Sequence, residues 1–138
     1  IFDIDGTIFR SSLLIELVEV LIEEGIFPVA VRTLYEREKV RWLDRKGDYE
    51  SYIEAVVKVF LKNIKGVHYR DFDRAAHIVV DRYHHRTYNM TEELIKELKE
   101  KNLQPSCVLV INHIKTFAFQ SVIPYYFQTR LFLEMKRR

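Results

Sequence analysis

The stretch that decides the fold is residues 1–10, which read Ile1-Phe2-Asp3-Ile4-Asp5-Gly6-Thr7-Ile8-Phe9-Arg10. The run begins apolar, as a buried strand does, and then places two carboxylates two residues apart. Side chains at that spacing on an extended chain point to the same side. We therefore expect Asp3 and Asp5 to project together from the end of a first strand.

The residues that follow predict a turn and then a helix. Gly6 can adopt turn geometry that other residues resist, and Thr7 adds a hydroxyl beside exposed backbone N–H groups. Ser11 or Ser12 can cap a helix that starts near residue 13. The carboxyl end of a strand in an open α/β sheet is where such folds bind ligands, so this turn is the candidate site.

Two carboxylates this close repel each other unless a positive charge lies beside them. A divalent cation is the simplest answer, and few protein oxygen ligands suit Mg²⁺, which keeps waters and takes phosphate oxygens from a substrate. With Mg²⁺ present, one carboxylate can stay ionised as a nucleophile. The other can hold a proton and give it to a leaving alkoxide.

Residues 2–8, Phe-Asp-Ile-Asp-Gly-Thr-Ile, resemble the first motif, DxDGT, of the haloacid dehalogenase (HAD) superfamily. The sequence after the motif is most similar to the phosphoserine-phosphatase-like branch, subfamily IB. The resemblance implies that Asp3 is the nucleophile and a Mg²⁺ ligand. It implies that Asp5 is the general acid/base, with a backbone carbonyl on the metal, and that Gly6 and Thr7 position the loop and the phosphate. The implied activity is Mg²⁺-dependent hydrolysis of a small phosphorylated metabolite through an aspartyl-phosphate.

Two other interpretations of the same stretch stay open. Asp3, Asp5 and Gly6 also fit positions three, five and six of an EF-hand calcium loop. Ile1 and Ser12 would then stand at positions one and twelve, where carboxylates are needed. The second alternative is a plain surface turn that happens to contain two aspartates.

Composition limits the class of protein. At 138 residues the chain suits one domain, or one core with an inserted subdomain. A hydrophobic content of 48% with 30% charged residues is ordinary for a globular protein, and a net charge of +2 is too small to argue for nucleic acid or an anionic membrane. We found no signal peptide or membrane span. The lone Cys107 fits a reducing cytoplasm.

Helical periodicity dominates residues 13–88. We predict helices at 13–25, 29–45, 49–62 and 71–84, with Asp71 as the cap of the last. In the first helix the apolar residues take most of the circumference, and Glu16, Glu19 and Glu23 mark a narrow solvent-facing side. A helical region of this size resembles the cap that is inserted after the first strand in the phosphoserine-phosphatase-like branch. Such a cap excludes water and sets specificity.

A helix capped by Asn89 or Thr91 and ending near Asn102 follows, and residues 108–111 then read as a buried parallel strand. Strand, helices and strand make a βαβ crossover. The predicted fold class is therefore α/β, a partial Rossmann-like (HAD) parallel sheet with an inserted α-helical cap. The predicted domains are residues 1–12 as first strand and catalytic loop, 13–88 as cap, and 89–138 as core helix, second strand and divergent or truncated tail.

The second family motif is a Ser or Thr at the end of that strand, and Asn112 stands in its place. An Asn amide can also donate to a phosphate oxygen, so Asn112 is a candidate phosphate ligand. Lys115 either approaches the phosphate or is an ordinary surface lysine. Arg86 is a candidate cap residue for a substrate anion, since a guanidinium suits carboxylate and phosphate, or else a surface arginine. His84 and His85 are adjacent on a helix and make a poor metal pair.

The Lys and the acidic pair of the third and fourth family motifs have no counterpart after residue 112. Residues 103–129 carry one charged side chain and many apolar ones. Three explanations fit: a divergent completion of the fold, a truncated or frame-shifted product, or pairing with another chain, including self-association through the apolar C-terminal segment. We favour truncation. The alternative function is a catalytically inactive remnant that binds phosphate or a partner protein.

Overall fold

The computed structural model describes residues 2–103 and 107–108. Its elements, in chain order, are β1 Phe2–Asp3, α1 Leu13–Glu23, a 3₁₀ helix Val29–Arg32, α2 Thr33–Leu43, α3 Tyr49–Asn63, α4 Tyr69–Tyr83, α5 Asn89–Glu100 and β2 Cys107–Val108. Most of the described chain is therefore helical.

The predicted fold class is wrong for the described residues. β1 and β2 pair in parallel over two residues each, with Phe2 opposite Cys107 and Asp3 opposite Val108, and the described ranges contain no larger sheet. β1 ends at Asp3 because the chain turns at the next residue, where the Ile4 carbonyl accepts hydrogen bonds from three later amides. A two-residue pairing does not make a Rossmann-like sheet. Residues 109–111 of the predicted second strand lie outside the described residues.

The chain divides into two compact units. The first contains Ile1–Leu13 together with Val79–Arg138, and the second contains Leu14–Ile78. The domain limits expected from the sequence, at residues 12 and 88, stay a prediction.

Four of the helices start and stop close to where periodicity and glycine predict. α1 ends before Gly25, which has a φ of 70°, a left-handed conformation that glycine adopts without a Cβ clash. α3 begins after Asp48, whose carboxylate accepts from the Ser51 amide at 2.7 Å, a side-chain N-cap. The predicted helix at 29–45 is instead a 3₁₀ turn followed by α2.

The caps of the later helices differ from the prediction. α4 begins at Tyr69, and the Nδ1 atom of His68 accepts from the Arg70 amide at 3.2 Å, so His68 and not Asp71 caps it. α5 begins at Asn89, and its N-cap residue, Tyr88, makes no side-chain cap hydrogen bond.

The second unit has a core of aliphatic and aromatic side chains. α1 is buried around most of its circumference, as its sequence predicts. The Phe27 and Phe60 ring centroids are 6.3 Å apart, and those of Tyr35 and Tyr52 are 6.4 Å apart. Leu34 and Leu43 on α2 are exposed.

The sequence places Glu19 on a solvent-facing side of α1, but the structure does not. Its carboxylate accepts from the Arg32 guanidinium at 2.8 Å and from the Tyr35 hydroxyl at 2.9 Å, and lies 3.4 Å from the Lys39 ammonium. Only 18% of the Glu19 side chain is exposed. The carboxylate joins α1 to the 3₁₀ turn and to α2 within the second unit.

In the part of the chain that the structure describes, we find no helix with the length and apolar character needed to cross a bilayer.

Candidate functional site

The loop after β1 folds around one carbonyl. The Ile4 oxygen accepts from the amides of Thr7, Ile8 and Phe9 at 3.3, 3.0 and 2.8 Å, and the Gly6 amide donates to the Phe9 carbonyl at 2.9 Å. Gly6 has a φ of 75°, in the left-handed region that favours glycine. The Gly6 and Thr7 amides therefore already donate within the loop.

Asp5 is held at the start of α1. Its Oδ2 accepts from the Ser12 hydroxyl at 2.9 Å, and its Oδ1 accepts from the Leu13 amide at 3.1 Å. Leu13 is the first residue of α1, so the Asp5 carboxylate takes the N-terminal capping position that the sequence assigns to Ser11 or Ser12.

Burial determines the charge state of Asp5. Desolvation raises the pKa of its carboxyl from 3.8 to about 6, and the negative charge of Asp3 adds to the rise. The hydrogen bonds from Leu13 and Ser12 favour the ionised form and lower the pKa, but by less than burial raises it. Asp5 is therefore a carboxyl group that gains and loses a proton near neutral pH, as a general acid/base must.

Asp3 ends β1 and is half-buried, with its Oδ1 accepting from the Ile4 amide at 2.9 Å. Because its charge affects the pKa of Asp5, the two carboxylates lie within electrostatic range of each other. Asp5 faces α1 and Asp3 contacts its own backbone, so a joint action of the two acids stays a prediction.

A second segment, residues 86–91, contacts this loop within the first unit. The Arg10 amide donates to the Arg86 carbonyl at 2.9 Å, and the Tyr88 amide donates to the Ile8 carbonyl at 3.1 Å. The Thr91 hydroxyl donates to the Thr7 carbonyl at 2.8 Å.

The sequence predicts Ser12 and Thr91 only as helix caps. It therefore misses the hydrogen bonds from Ser12 to Asp5 and from Thr91 to Thr7. Thr91 is 84 residues from its partner, and a single sequence has no local signal for such a contact. Thr87 is also buried and donates its hydroxyl to the Glu92 carboxylate, which fixes the entry to α5. The sequence alone does not predict this role of Thr87.

Arg86 is exposed, and its guanidinium carbon lies 4.4 Å from the centre of the Tyr83 ring. Its backbone is next to the loop, but whether it contacts a substrate anion stays a prediction. Asn112 and Lys115 lie outside the described residues, as does the apolar C-terminal segment.

Metal-ligating side chains do not cluster in the part of the chain that the structure describes. Among residues 2–103 and 107–108, no three His, Cys, Asp or Glu side chains come together to hold an ion. Both oxygens of Asp5 accept hydrogen bonds from Ser12 and Leu13, which also fits poorly with an EF-hand loop. The described residues therefore show no assembled metal centre, and we assign no chemical step to a metal.

The His84 ring is not arranged for a metal either. Its Nδ1 lies 3.1 Å from the Val80 carbonyl and 3.0 Å from the Asp81 carbonyl, so it is hydrogen-bonded to its own helix. Its ring centroid lies 5.8 Å from that of His85.

Comparison of the chain with protein-family models, with curated proteins and with solved structures gives no match.

Proposed function

We propose that this chain belongs to a phosphomonoester hydrolase that works through an aspartyl-phosphate. The observation that carries the proposal is Asp5, a carboxyl with a pKa of about 6 placed two residues after a second carboxylate. The resemblance of residues 2–8 to the DxDGT motif adds support. The proposal rests on this loop and needs no Rossmann-like sheet.

The roles follow from the resemblance of residues 2–8 to the DxDGT motif. An Asp3 oxygen attacks phosphorus, the bond to the ester oxygen breaks, and the Asp5 carboxyl gives its proton to that leaving oxygen. Water then attacks the phosphorus of the aspartyl-phosphate, and Asp5 takes the water's proton. The bond between phosphorus and the Asp3 oxygen breaks, which frees the Asp3 carboxylate and releases inorganic phosphate. Desolvation suits Asp5 to both steps, because it keeps a measurable protonated fraction near neutral pH.

Three further parts of the proposal come from the sequence. Mg²⁺ is proposed as the cofactor, Asn112 and Thr7 as phosphate ligands, and Arg86 as a contact for a substrate anion. The substrate class is a small phosphorylated metabolite, and the expected location is the cytoplasm because the chain has a single cysteine.

The test is hydrolysis of p-nitrophenyl phosphate with Mg²⁺ or with EDTA, comparing the wild type with Asp3→Asn and Asp5→Asn. Asp44→Asn is the matched control, because Asp44 is an exposed aspartate that pairs with Lys46 at 3.6 Å. We expect Asp3→Asn to lose about 10³-fold or more of the activity, Asp5→Asn about 10²–10⁴-fold, and the control to keep it.

Activity that survives Asp3→Asn would contradict the proposal. Wild-type protein that binds phosphate without turning over the ester would overturn it in favour of the inactive phosphate-binding remnant. Activity that is unchanged by EDTA would remove Mg²⁺ from the proposal and leave the two carboxylates in place.

A further inference from the structure

Four aromatic side chains of the second unit form a continuous row, here named the ring row: Tyr35, Tyr52, Trp42 and Tyr49. The Tyr35 and Tyr52 ring centroids are 6.4 Å apart. Those of Tyr52 and Trp42 are 5.6 Å apart, with an angle of 22° between the ring planes, and the Tyr49 centroid lies 5.4 Å from that of Trp42. Each ring therefore lies at the usual packing distance from the next.

The two ends of the ring row differ in exposure. Tyr35 and Tyr52 are almost fully buried, whereas 38% of Trp42 and 42% of Tyr49 is exposed. Trp42 is the single tryptophan of the chain. The row therefore connects an exposed indole to a buried phenol.

A carboxylate lies at the buried end of the row. The Tyr35 hydroxyl donates to Glu19 at 2.9 Å. Burial, and after it the hydrogen bond to Glu19, raises the pKa of the Tyr35 hydroxyl, so the phenol keeps its proton at neutral pH. Burial also acts to raise the pKa of Glu19, but that same hydrogen bond and two cations outweigh it and hold the pKa below its ordinary value. Glu19 is therefore an ionised proton acceptor at neutral pH.

We propose that an electron passes from Tyr35 along the ring row to an outer-sphere one-electron oxidant at the protein surface, and that Glu19 takes the phenol proton. The oxidant removes one electron from Trp42 and is itself reduced by one electron. Tyr35 then gives one electron through the Tyr52 ring to Trp42. The Tyr35 O–H bond breaks as its proton moves to the Glu19 carboxylate. The products are a neutral tyrosyl radical at Tyr35, a protonated Glu19 and the reduced oxidant.

Proton transfer determines where the oxidation ends. An oxidised phenol is a far stronger acid than a glutamic acid, so the proton moves to Glu19 although Arg32 and Lys39 favour the ionised carboxylate. A tyrosine that loses its proton on oxidation is easier to oxidise than a tryptophan, and burial then shields the radical from solvent. The relay uses no residue of the aspartate loop, so it does not depend on the hydrolase proposal.

The test is flash photolysis of the full chain with tris(bipyridine)ruthenium(II) and a cobalt(III) quencher, which together produce a ruthenium(III) oxidant. Transient absorption distinguishes the tryptophan radical from the tyrosyl radical. We expect the Trp42 radical to decay at the rate at which a tyrosyl radical appears. We expect the same transfer to be slower in heavy water, because a proton moves with the electron.

Variants identify the electron donor and the proton acceptor. Tyr35→Phe keeps the ring and loses the hydroxyl, and Glu19→Gln keeps the side-chain shape and loses the charge. We expect the Trp42 radical to live longer in both variants, with loss of the tyrosyl signal that forms from it. Tyr69→Phe is the matched control, because Tyr69 is an exposed tyrosine at the start of α4, and it should behave as the wild type.

A Trp42 radical that decays as fast in Tyr35→Phe as in the wild type would overturn the proposal, because Tyr35 would not be the donor. A tyrosyl signal that is unchanged in Glu19→Gln would also overturn it, because Glu19 would not be the proton acceptor. A wild-type Trp42 radical that yields no tyrosyl radical would show that the ring row is only a packed part of the core.

Discussion

Asp5 in the first unit and Glu19 in the second are both partly buried carboxylates at α1, and both accept several hydrogen bonds. Their pKa values nevertheless move in opposite directions. Burial raises the pKa of Asp5 to about 6. Burial also acts to raise the pKa of Glu19, but the Tyr35 hydroxyl and the charges of Lys39 and Arg32 outweigh it and hold the pKa below its ordinary value.

Two differences explain this: Asp5 is more deeply buried than Glu19, and Glu19 has cations as well as a neutral hydroxyl among its partners. Asp5 accepts from a neutral hydroxyl and a backbone amide, and its acidic neighbour Asp3 opposes ionisation. Glu19 faces two cations. At Asp5 the two neutral donors do not offset the loss of solvation, whereas at Glu19 a neutral hydroxyl together with two cations offsets a smaller loss. The surroundings therefore favour the ionised form of Glu19 and the protonated form of Asp5.

The two groups affect stability with opposite sign. Because the folded pKa of Glu19 is depressed, its stabilisation is present above the unfolded pKa and is lost as the pH falls through the folded value. Because the folded pKa of Asp5 is raised, its ionised form opposes folding. That cost is full above about pH 6 and disappears as the pH falls towards 3.8.

The largest effect is expected at Glu19. Glu19→Gln should lower the free energy of unfolding by about 2 kcal/mol at pH 7, because it leaves Arg32 and Lys39 beside a neutral amide. Chemical denaturation measures this value. Glu54→Gln is the control, since Glu54 is half-exposed and pairs with Lys58 at 3.6 Å, and it should change stability little. If the two variants lower the free energy of unfolding equally, Glu19 has no special structural role.

The opposite sign is expected at Asp5. Asp5→Asn should raise the free energy of unfolding at pH 8 by about 1–2 kcal/mol, below the limit of about 3 kcal/mol set by a shift from 3.8 to about 6. The asparagine side chain can still accept a hydrogen bond from the Leu13 backbone amide, and it carries no charge that burial would destabilise. The gain should fade between pH 6 and pH 4. A loss of stability at pH 8 would show that the Asp5 charge is a structural one, like that of Glu19.

A smaller effect is expected at Ser12. Ser12→Ala should cost about 1 kcal/mol and raise the pKa of Asp5 further, because the hydroxyl that donates to its carboxylate is lost. Denaturation and NMR titration measure the two consequences. Ser51→Ala, which removes the 2.9 Å bond from the Ser51 hydroxyl to Asp48, should leave the Asp5 pKa unchanged. A fall in the Asp5 pKa on removing the Ser12 hydroxyl would contradict the assignment.

The smallest effect is expected at Thr91. Thr91→Val should cost about 0.5–1 kcal/mol, since one hydrogen bond to the Thr7 carbonyl is lost while the side-chain volume is nearly kept. Thr33→Val is the comparison, because the Thr33 hydroxyl donates to the Ala30 carbonyl at an exposed site. If Thr91→Val costs no more than that exposed variant, Thr91 does not hold the loop.

Local patterns predicted the helices well. The apolar periodicity of α1 and α3 and the glycine at position 25 are encoded within a few residues, so a single sequence shows them. The predicted cap of α4 was wrong. The local pattern favours Asp71, whereas His68 lies one residue before the helix and accepts a hydrogen bond from the Arg70 amide.

Contacts between residues far apart in the chain could not be predicted from the sequence. The predicted fold class was wrong because two apolar runs were interpreted as full strands, whereas in the described residues only Phe2–Asp3 and Cys107–Val108 pair. The Asp3 and Asp5 pair could be proposed from the sequence because its members are two residues apart, and it stays a prediction. The contact of Thr91 with the loop and the Glu19 cluster involve residues 13 to 84 positions apart, which local patterns do not encode.

The central claim is that two similar carboxylates have opposite electrostatic environments. The most direct test is ¹³C NMR titration of the side-chain carboxyl groups of Asp5 and Glu19 in one sample. We expect the Asp5 midpoint near pH 6 and the Glu19 midpoint below the usual range for a glutamate. An Asp5 midpoint near 4 would contradict the account, because Asp5 would then be an ordinary ionised carboxylate with no proton to give.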